Sequence, residues 1–320
     1  MDVRWLSKAD VEAIRLSPEE CIDLVRRTLQ WHAQGVVEMP PKLGVHPPDG
    51  RHMHAMPAFI PPLHALGLKW LGDFPGNKQR GLPTLCAVII LSDPQTGAPL
   101  SILDGTTITS MRTAAMTGIC VRTIAPPDVE VAAIIGTGVQ ARTHAVALPK
   151  ALPSVKTILV VGRTEAAAAD FCQQVRPLSE TQLITAPSRE KAVRDAQVVI
   201  TLTNAVTTRL LEPEWLMPGV TLVVLDNGGK ETGILSYVDR VFVDDQRPFA
   251  GEEVRHRFPT GVPPIDGEIG KILLGEVPGR RNELERILIL NLGIAASDIA
   301  VAAEVYRRAS ESGVGTIVSL

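Results

Sequence analysis

The sequence predicts an α/β protein in which a doubly wound parallel sheet domain is inserted into an α+β domain. Three observations predict it. A short, mostly β-branched run, 129–135, ends in Gly136-Thr137-Gly138, with Ala141 three residues after the second glycine. Beyond it, strand-like and helix-like stretches alternate as far as Asp244, the pattern of parallel strands joined by crossover helices. Ahead of it, strand-like runs separated by Pro/Gly-rich turns follow one N-terminal helix, and a small-residue helix comes near the end of the chain.

Each element has its own signal. Ser17-Pro18-Glu19-Glu20 joins a capping serine, a first-turn proline and a capping-box glutamate. Ile22, Val25 and Leu29 follow at helical spacing, so an amphipathic helix is expected over 17–34. Past Met39-Pro40-Pro41-Lys42, the runs 52–60, 66–72 and 84–91 read as strands. Asp93-Pro94-Gln95-Thr96-Gly97 is a turn into a further strand at 99–103. A helix over 106–124 leaves this unit, and Pro126-Pro127 punctuates the crossing. After the glycine-turn strand, strands are expected at 157–161, 182–185, 198–203, 221–226 and 241–244, with helices at 165–175 and 189–195 among the connections. The final helix, running on from Gly293 to Ala309, is expected to return to the first domain. The expected division is therefore 1–125 with 293–320 for one domain and 126–292 for the other.

The glycine turn has a chemical reading. Gly136 permits a tight turn, Gly138 lets a pyrophosphate approach the backbone, and Ala141 lets the helix lie close on the strand. The helix N-terminus then offers unpaired N–H groups and a positive dipole end to phosphates. A turn of purely structural use would look the same in isolation. The alternation that follows favours a Rossmann-type domain, and with it NAD or NADP. At the end of the next strand, Gly162-Arg163-Thr164 contains no acid to hold the ribose hydroxyls of NAD. Arg163 and Thr164 suit a 2′-phosphate, which leans to NADP without excluding NAD.

Composition narrows the classes. Thirty-two Lys and Arg against 35 Asp and Glu give a net charge of −3, so nothing electrostatic points to nucleic acid or a membrane surface. The first residues show no charged-then-apolar leader, and no apolar run nears the ~20 residues of a membrane span. Cys21, Cys86, Cys120 and Cys172 are too scattered for a metal or Cys-x-x-Cys site. A soluble cytoplasmic protein with reduced thiols and no metal is expected.

Four groups of residues could carry chemistry. Lys69 sits on a mostly apolar strand, facing away from Leu68 and Trp70, where burial would demand an anion; an edge lysine reaching solvent is the plainer alternative. Arg112 is flanked by small residues on a helix, where it could clamp a carboxylate with two parallel hydrogen bonds or make a structural salt bridge. Asp226 ends a sheet strand on the side where open α/β sheets bind ligands, placed to exchange a proton with an amine or imine, or to cap a turn. Lys42 and His54 add a cation and a donor in the first domain; each is also ordinary as a surface or satisfied polar residue.

Taken together, these pieces resemble the ornithine cyclodeaminase/µ-crystallin family over nearly the whole chain. The resemblance rests on Met56-Pro57-Ala58, Leu68-Lys69-Trp70, Gly81-Leu82-Pro83-Thr84, Asp93-Pro94 with Thr96-Gly97, the segment 103–115, the segment 134–141, Asp226 with Gly229-Lys230, and Gly293-Ile294-Ala295 with Asp298. It implies a homodimer made through the first domain, with a nicotinamide domain inserted in each subunit. It also implies that Lys69 and Arg112 bind the α-carboxylate of a small imino or amino acid, with Lys42 a further cation for substrate. Asp226 would be the proton donor and acceptor beside the reacting nitrogen. Thr84, Val139, Gln140, Thr203, Lys230 and Asn291 fall at cofactor-contacting positions, together with Gly136, Gly138, Arg112 and Asp226, while Leu292 would line the substrate pocket. The chain departs from the cyclodeaminase pattern, which places a glutamate before Met-Pro; His54 is the counterpart here. A histidine with Arg51 and Lys42 nearby suits a neutral or anionic substrate side chain, as in an iminosuccinate reductase making L-aspartate.

The expected activity is NAD(P)H-dependent reduction of a 2-imino acid. Ornithine cyclodeamination with catalytic NAD, reduction of cyclic ketimines, and a non-catalytic binding role as in lens members are the competing expectations.

Overall fold

The computed structural model describes residues 1–47, 50–203, 210–225, 233–251, 254, 258 and 261–320. Two compact units form, residues 1–113 with 293–320, and residues 114–292. The division falls inside a helix rather than at Pro126-Pro127, because that helix runs unbroken through the boundary.

In the first unit the strands are β1 (Asp2–Leu6), β2 (Leu43–Val45), β3 (His52–Ile60), β4 (Ala65–Asp73), β5 (Leu85–Ser92), β6 (Pro99–Asp104) and a C-terminal strand, Thr316–Ser319. They lie in the order C-terminal strand, β1, β6, β5, β4, β3, β2. Only β1 against β6 is parallel; the other pairs are antiparallel. The meander was legible in the sequence, but β1, β2 and the C-terminal strand were not. β2 and the C-terminal strand are the exposed edges of the sheet and β1 is only five residues long, so none of them carries a sustained apolar alternation.

Two capped helices follow β1. In α2 (Pro18–Ala33) the expected reciprocal box is present, with Ser17 and Glu20 exchanging hydrogen bonds, and α1 (Lys8–Ala13), not expected from the sequence, has a box of the same kind between Ser7 and Asp10. The apolar stripe of α2, including Ile22, Val25 and Leu29, is buried. It packs on the C-terminal helix (Ala295–Ser312), which lies against β3, β4 and β5 on the face where Met56, Ile60, Ile89 and Leu91 are buried. Each such side chain contributes about 1.5–3 kcal/mol by leaving water. The opposite face is different. Leu68, Ile90, Ile102 and Trp5 form one cross-strand row, Trp70 and Val88 begin the next, and Trp5, Trp70 and Val88 are exposed.

The second unit begins within α3 (Gly105–Ile124). Its strands are β7 (Val131–Ile135), β8 (Thr157–Val161), β9 (Gln182–Thr185), β10 (Val198–Thr201), β11 (Thr221–Val224), β12 (Arg240–Val243), β13 (Gly267–Glu268) and β14 (Ile287–Leu290). They form one parallel sheet in the order β13-β12-β14-β11-β10-β7-β8-β9. Every residue of β10, β11, β12 and β14 is buried, as expected for strands covered on both faces. The connections include α4 (Val139–Ala151), α5 (Glu165–Val175) and α6 (Arg189–Asp195). The chain order reverses between β7 and β10, which marks the place where ligands of such sheets bind, outside the carboxyl ends of the strands. No helix among the described residues is long and apolar enough to cross a membrane.

Candidate active site

In the first unit, strand phase decides where Lys69 goes. The odd positions of β4 (Ala65, Gly67, Lys69) are buried, and Lys69 is 0% exposed. The solvent-reaching alternative is thereby set aside. The anion that burial requires comes from the C-terminal helix, whose first turn carries Asp298. Lys69 Nζ donates to Asp298 Oδ2 at 2.6 Å, and Arg112 Nε donates to Asp298 Oδ1 at 2.9 Å. Asp298 is wholly buried and Arg112 nearly so. The helix dipole favours a carboxylate at this end.

Arg112 reaches this position past Gly293. A Cβ at Gly293, which also has φ +78°, would lie 2.5 Å from Arg112 Nη1. The salt bridge engages only Nε; among the described residues, Nη1 and Nη2 of Arg112 donate no hydrogen bond. Two donors of a planar fork therefore remain for another pair of oxygens.

The electrostatics are unbalanced. Burial is the main cause that pushes the Lys69 ammonium down to about 7; Asp298 opposes this, while the Arg112 and Lys42 charges add to it. For Asp298, burial acts upward, but the Arg112 and Lys69 charges and hydrogen bonds outweigh it and hold the carboxyl below its usual range. One carboxylate thus faces two bonded cations and the field of a third. A second carboxylate entering here would balance the two bonded cations and draw Lys69 to the ammonium form.

In the second unit the glycine turn has the geometry its sequence suggests. Gly136 has φ +132°, and a Cβ there would lie 2.4 Å from the Leu202 carbonyl oxygen, just past the end of β10. Gly138 is the N-cap of α4, with no side-chain cap, and a Cβ added to it would meet nothing within 4 Å. Ala141 is fully buried, while Val139 is exposed. An uncapped helix N-terminus with open space before it, at the reversal of strand order, fits the pyrophosphate of a nicotinamide dinucleotide.

The other expected residues of this unit are distributed as follows. Thr164 Oγ1 accepts from Ala167 N–H as the N-cap of α5, so its hydroxyl also has a structural task; Arg163 beside it is exposed. Thr203 follows β10, and Gln140 lies in the first turn of α4. Asn291, after β14, is buried against Cys120, with Nδ2 3.5 Å from Sγ. Burial pushes the Cys120 thiol up to about 12, which removes it as a nucleophile. Leu292 N–H donates to Asp244 Oδ1. Asp226 and Lys230 lie outside the described residues.

In the first unit, Thr84 precedes β5 and Lys42 precedes β2. His54 is buried on β3, on the same sheet face as Lys69. Sequence reasoning assigned no role to Asp298, although a buried lysine calls for an acid. It also passed over His144, whose Nδ1 lies 2.8 Å from the Gln140 carbonyl and whose Nε2 lies 2.9 Å from Thr117 Oγ1. Since the carbonyl can only accept, Nδ1 carries a proton and the ring ties α3 to α4.

Known proteins resemble the chain along its length. The model of the ornithine cyclodeaminase/mu-crystallin family matches residues 2–313. The nodulation efficiency protein NfeD of Rhizobium meliloti is 31% identical, covering 99% of this chain and 98% of its own length. An alanine dehydrogenase of Archaeoglobus fulgidus is 30% identical over 99% and 98% of the two chains. The structure of Thermococcus litoralis Δ1-pyrroline-2-carboxylate reductase, in complex with NADH and L-proline, superposes with a TM-score of 0.92 at 27% identity, covering 99% of this chain and 100% of that one. With these matches spanning both units, the chain belongs to the ornithine cyclodeaminase/mu-crystallin family.

Proposed function

We propose that this chain, an NAD(P)-dependent oxidoreductase of that family, reduces a small 2-imino acid to the L-amino acid, with iminosuccinate to L-aspartate the preferred reaction. The observation that carries the proposal is the buried Lys69–Asp298–Arg112 group, where one carboxylate is set against an excess of cations. The substrate's α-carboxylate takes the free Nη edge of Arg112 and the Lys69 ammonium, which fixes the imine carbon in place. Positioning of this kind accounts for a large share of catalysis. Asp298 acts behind them: it touches both cations and sets their direction. Gly136, Gly138 and the N-terminus of α4 would hold NAD(P)H, which would supply the hydride. Asp226, directly or through water, supplies the proton that the nitrogen gains as C=N becomes CH–NH.

The absence of an acid beside Arg163 and Thr164 supports a lean to NADP and leaves NAD open. The exposed Trp5, Trp70 and Val88 on one face of the sheet support a homodimer in which a second copy covers that face. The free state of Cys21, Cys86, Cys120 and Cys172 agrees with a cytoplasmic location.

The test is a reductase screen with NADH and NADPH. It compares oxaloacetate plus ammonia, pyruvate plus ammonia, and cyclic pyrroline and piperideine carboxylates. The proposal expects the dicarboxylate to be preferred. Preference for the cyclic imines would overturn the substrate, and conversion of ornithine to proline and ammonia without net cofactor consumption would overturn the reaction.

A further inference from the structure

Three imidazoles meet on the sheet that carries Lys69. His46 Nδ1 and His52 Nδ1 are 3.0 Å apart. The His46 and His54 rings are 5.9 Å apart, and those of His52 and His54 stack at 6.0 Å. Gly44 admits them, since a Cβ there would lie 2.6 Å from His46 Nε2 and 3.3 Å from His54 Nδ1. Exposure falls from His46 through His52 to His54, which is 9% exposed. The β3–β4 register sets His54 opposite Leu71 and Met56 opposite Lys69. His52, His54 and Lys69 therefore leave the same face, with His54 and Lys69 diagonal neighbours about 7–8 Å apart.

We propose that His46, His52 and His54 form the wall that recognises the side-chain carboxylate of an imino dicarboxylate. The inference rests on the reading of Lys69 and Arg112 as the site for the other carboxylate. Two Nδ1 atoms at 3.0 Å share one proton, because one must donate while the other accepts. A carboxylate relieves this, because each neutral ring can then donate from its own nitrogen to an oxygen. Asp73, opposite His52 in the register, places counter-charge at the outer edge of the cluster. The anion is thereby directed to the His54 side, nearer Lys69. A methyl side chain gives the wall nothing to bind, and a cationic one would meet N–H donors and the charges of Lys69 and Arg112.

The experiment uses the full chain carrying both His46→Leu and His52→Leu. It measures kcat/KM with oxaloacetate plus ammonia and with pyruvate plus ammonia at saturating cofactor. A hydrogen bond to a charged group contributes about 1.5–3 kcal/mol, so the dicarboxylate-to-monocarboxylate ratio is expected to fall about 10- to 150-fold. His52→Gln, which keeps a donor, should recover part of the ratio. If the double variant melts early, His46→Leu alone, at an exposed position, supplies the measurement. An unchanged ratio, or equal losses on both substrates, overturns the wall. If the wild type reduces the pyruvate-derived imine and these variants leave the ratio unchanged, the wall fails while the carboxylate site stands. If the wild type reduces no 2-imino acid at all, both fail.

Discussion

Replacing Asp298 by Asn tests the buried ion group through stability alone, independently of any substrate. The substitution is nearly isosteric but removes the one negative charge that faces Lys69 and Arg112. Lys69 can escape by shedding its proton, since burial already pushes it to about 7 in the wild type. Arg112 has no such escape. Breaking a buried pair from one side costs about 3–5 kcal/mol, which corresponds to a fall of roughly 10 °C in melting temperature. The loss should also depend on pH. Without Asp298 the main upward influence on Lys69 is gone, so its folded pKa drops below the wild-type value. Below about pH 7 the unfolded variant then binds a proton that its folded form does not, whereas in the wild type both states are protonated. The stability gap between variant and wild type therefore widens as pH falls from about 8 to about 6, by up to about 1.4 kcal/mol per unit. Urea unfolding followed by tryptophan fluorescence at three pH values reads this directly. A gap under about 1 kcal/mol at every pH, or a large gap that does not change with pH, would refute the reasoning.

The remaining predictions follow from the same geometry. In the wild type, affinity for a carboxylate competitor such as L-aspartate should weaken by up to about tenfold per pH unit above about 7, as Lys69 loses its proton; calorimetric titration against pH checks it. Gly138→Asp should leave the melting temperature within a few degrees, because the side chain enters open space, yet raise the Kd for NADH and NADPH at least about tenfold by repelling phosphate; Gly136→Ala should instead lower stability by about 1–3 kcal/mol, because it strains the backbone and strikes Leu202. Trp70→Glu should shift a dimer toward monomer in sedimentation experiments, since it places a charge on the exposed apolar sheet face. Asp226→Asn should retain cofactor binding, measured by fluorescence titration, while kcat falls about 100-fold or more.

The parts of this molecule that were legible in the sequence are those whose signals are local. The strand 52–60 and the helices 165–175 and 189–195 carry their own period and caps, and they appear at those bounds. The Gly136–Ala141 turn likewise needs only its neighbours to be read. Lys69 was half legible: its strand phase demanded an anion, but the acid that answers lies 229 residues away, among 35 Asp and Glu. The place of β14 between β11 and β12 could not be read either, because strand order across a sheet is settled by tertiary packing, not by position along the chain. His46 and His52 were missed for a related reason. They lie six residues apart in the sequence, and the return of the chain onto β3 brings their rings together.

The central claim is that a carboxylate held by Lys69 and Arg112 positions an imine for net reduction by a nicotinamide cofactor. Its most direct test is to follow reduced cofactor and L-aspartate together, with oxaloacetate and ammonia as substrates. The account predicts one molecule of NADH or NADPH consumed for each L-aspartate formed, and loss of both signals together in Arg112→Met. Aspartate formed without cofactor consumption, or full turnover in Arg112→Met, would contradict it.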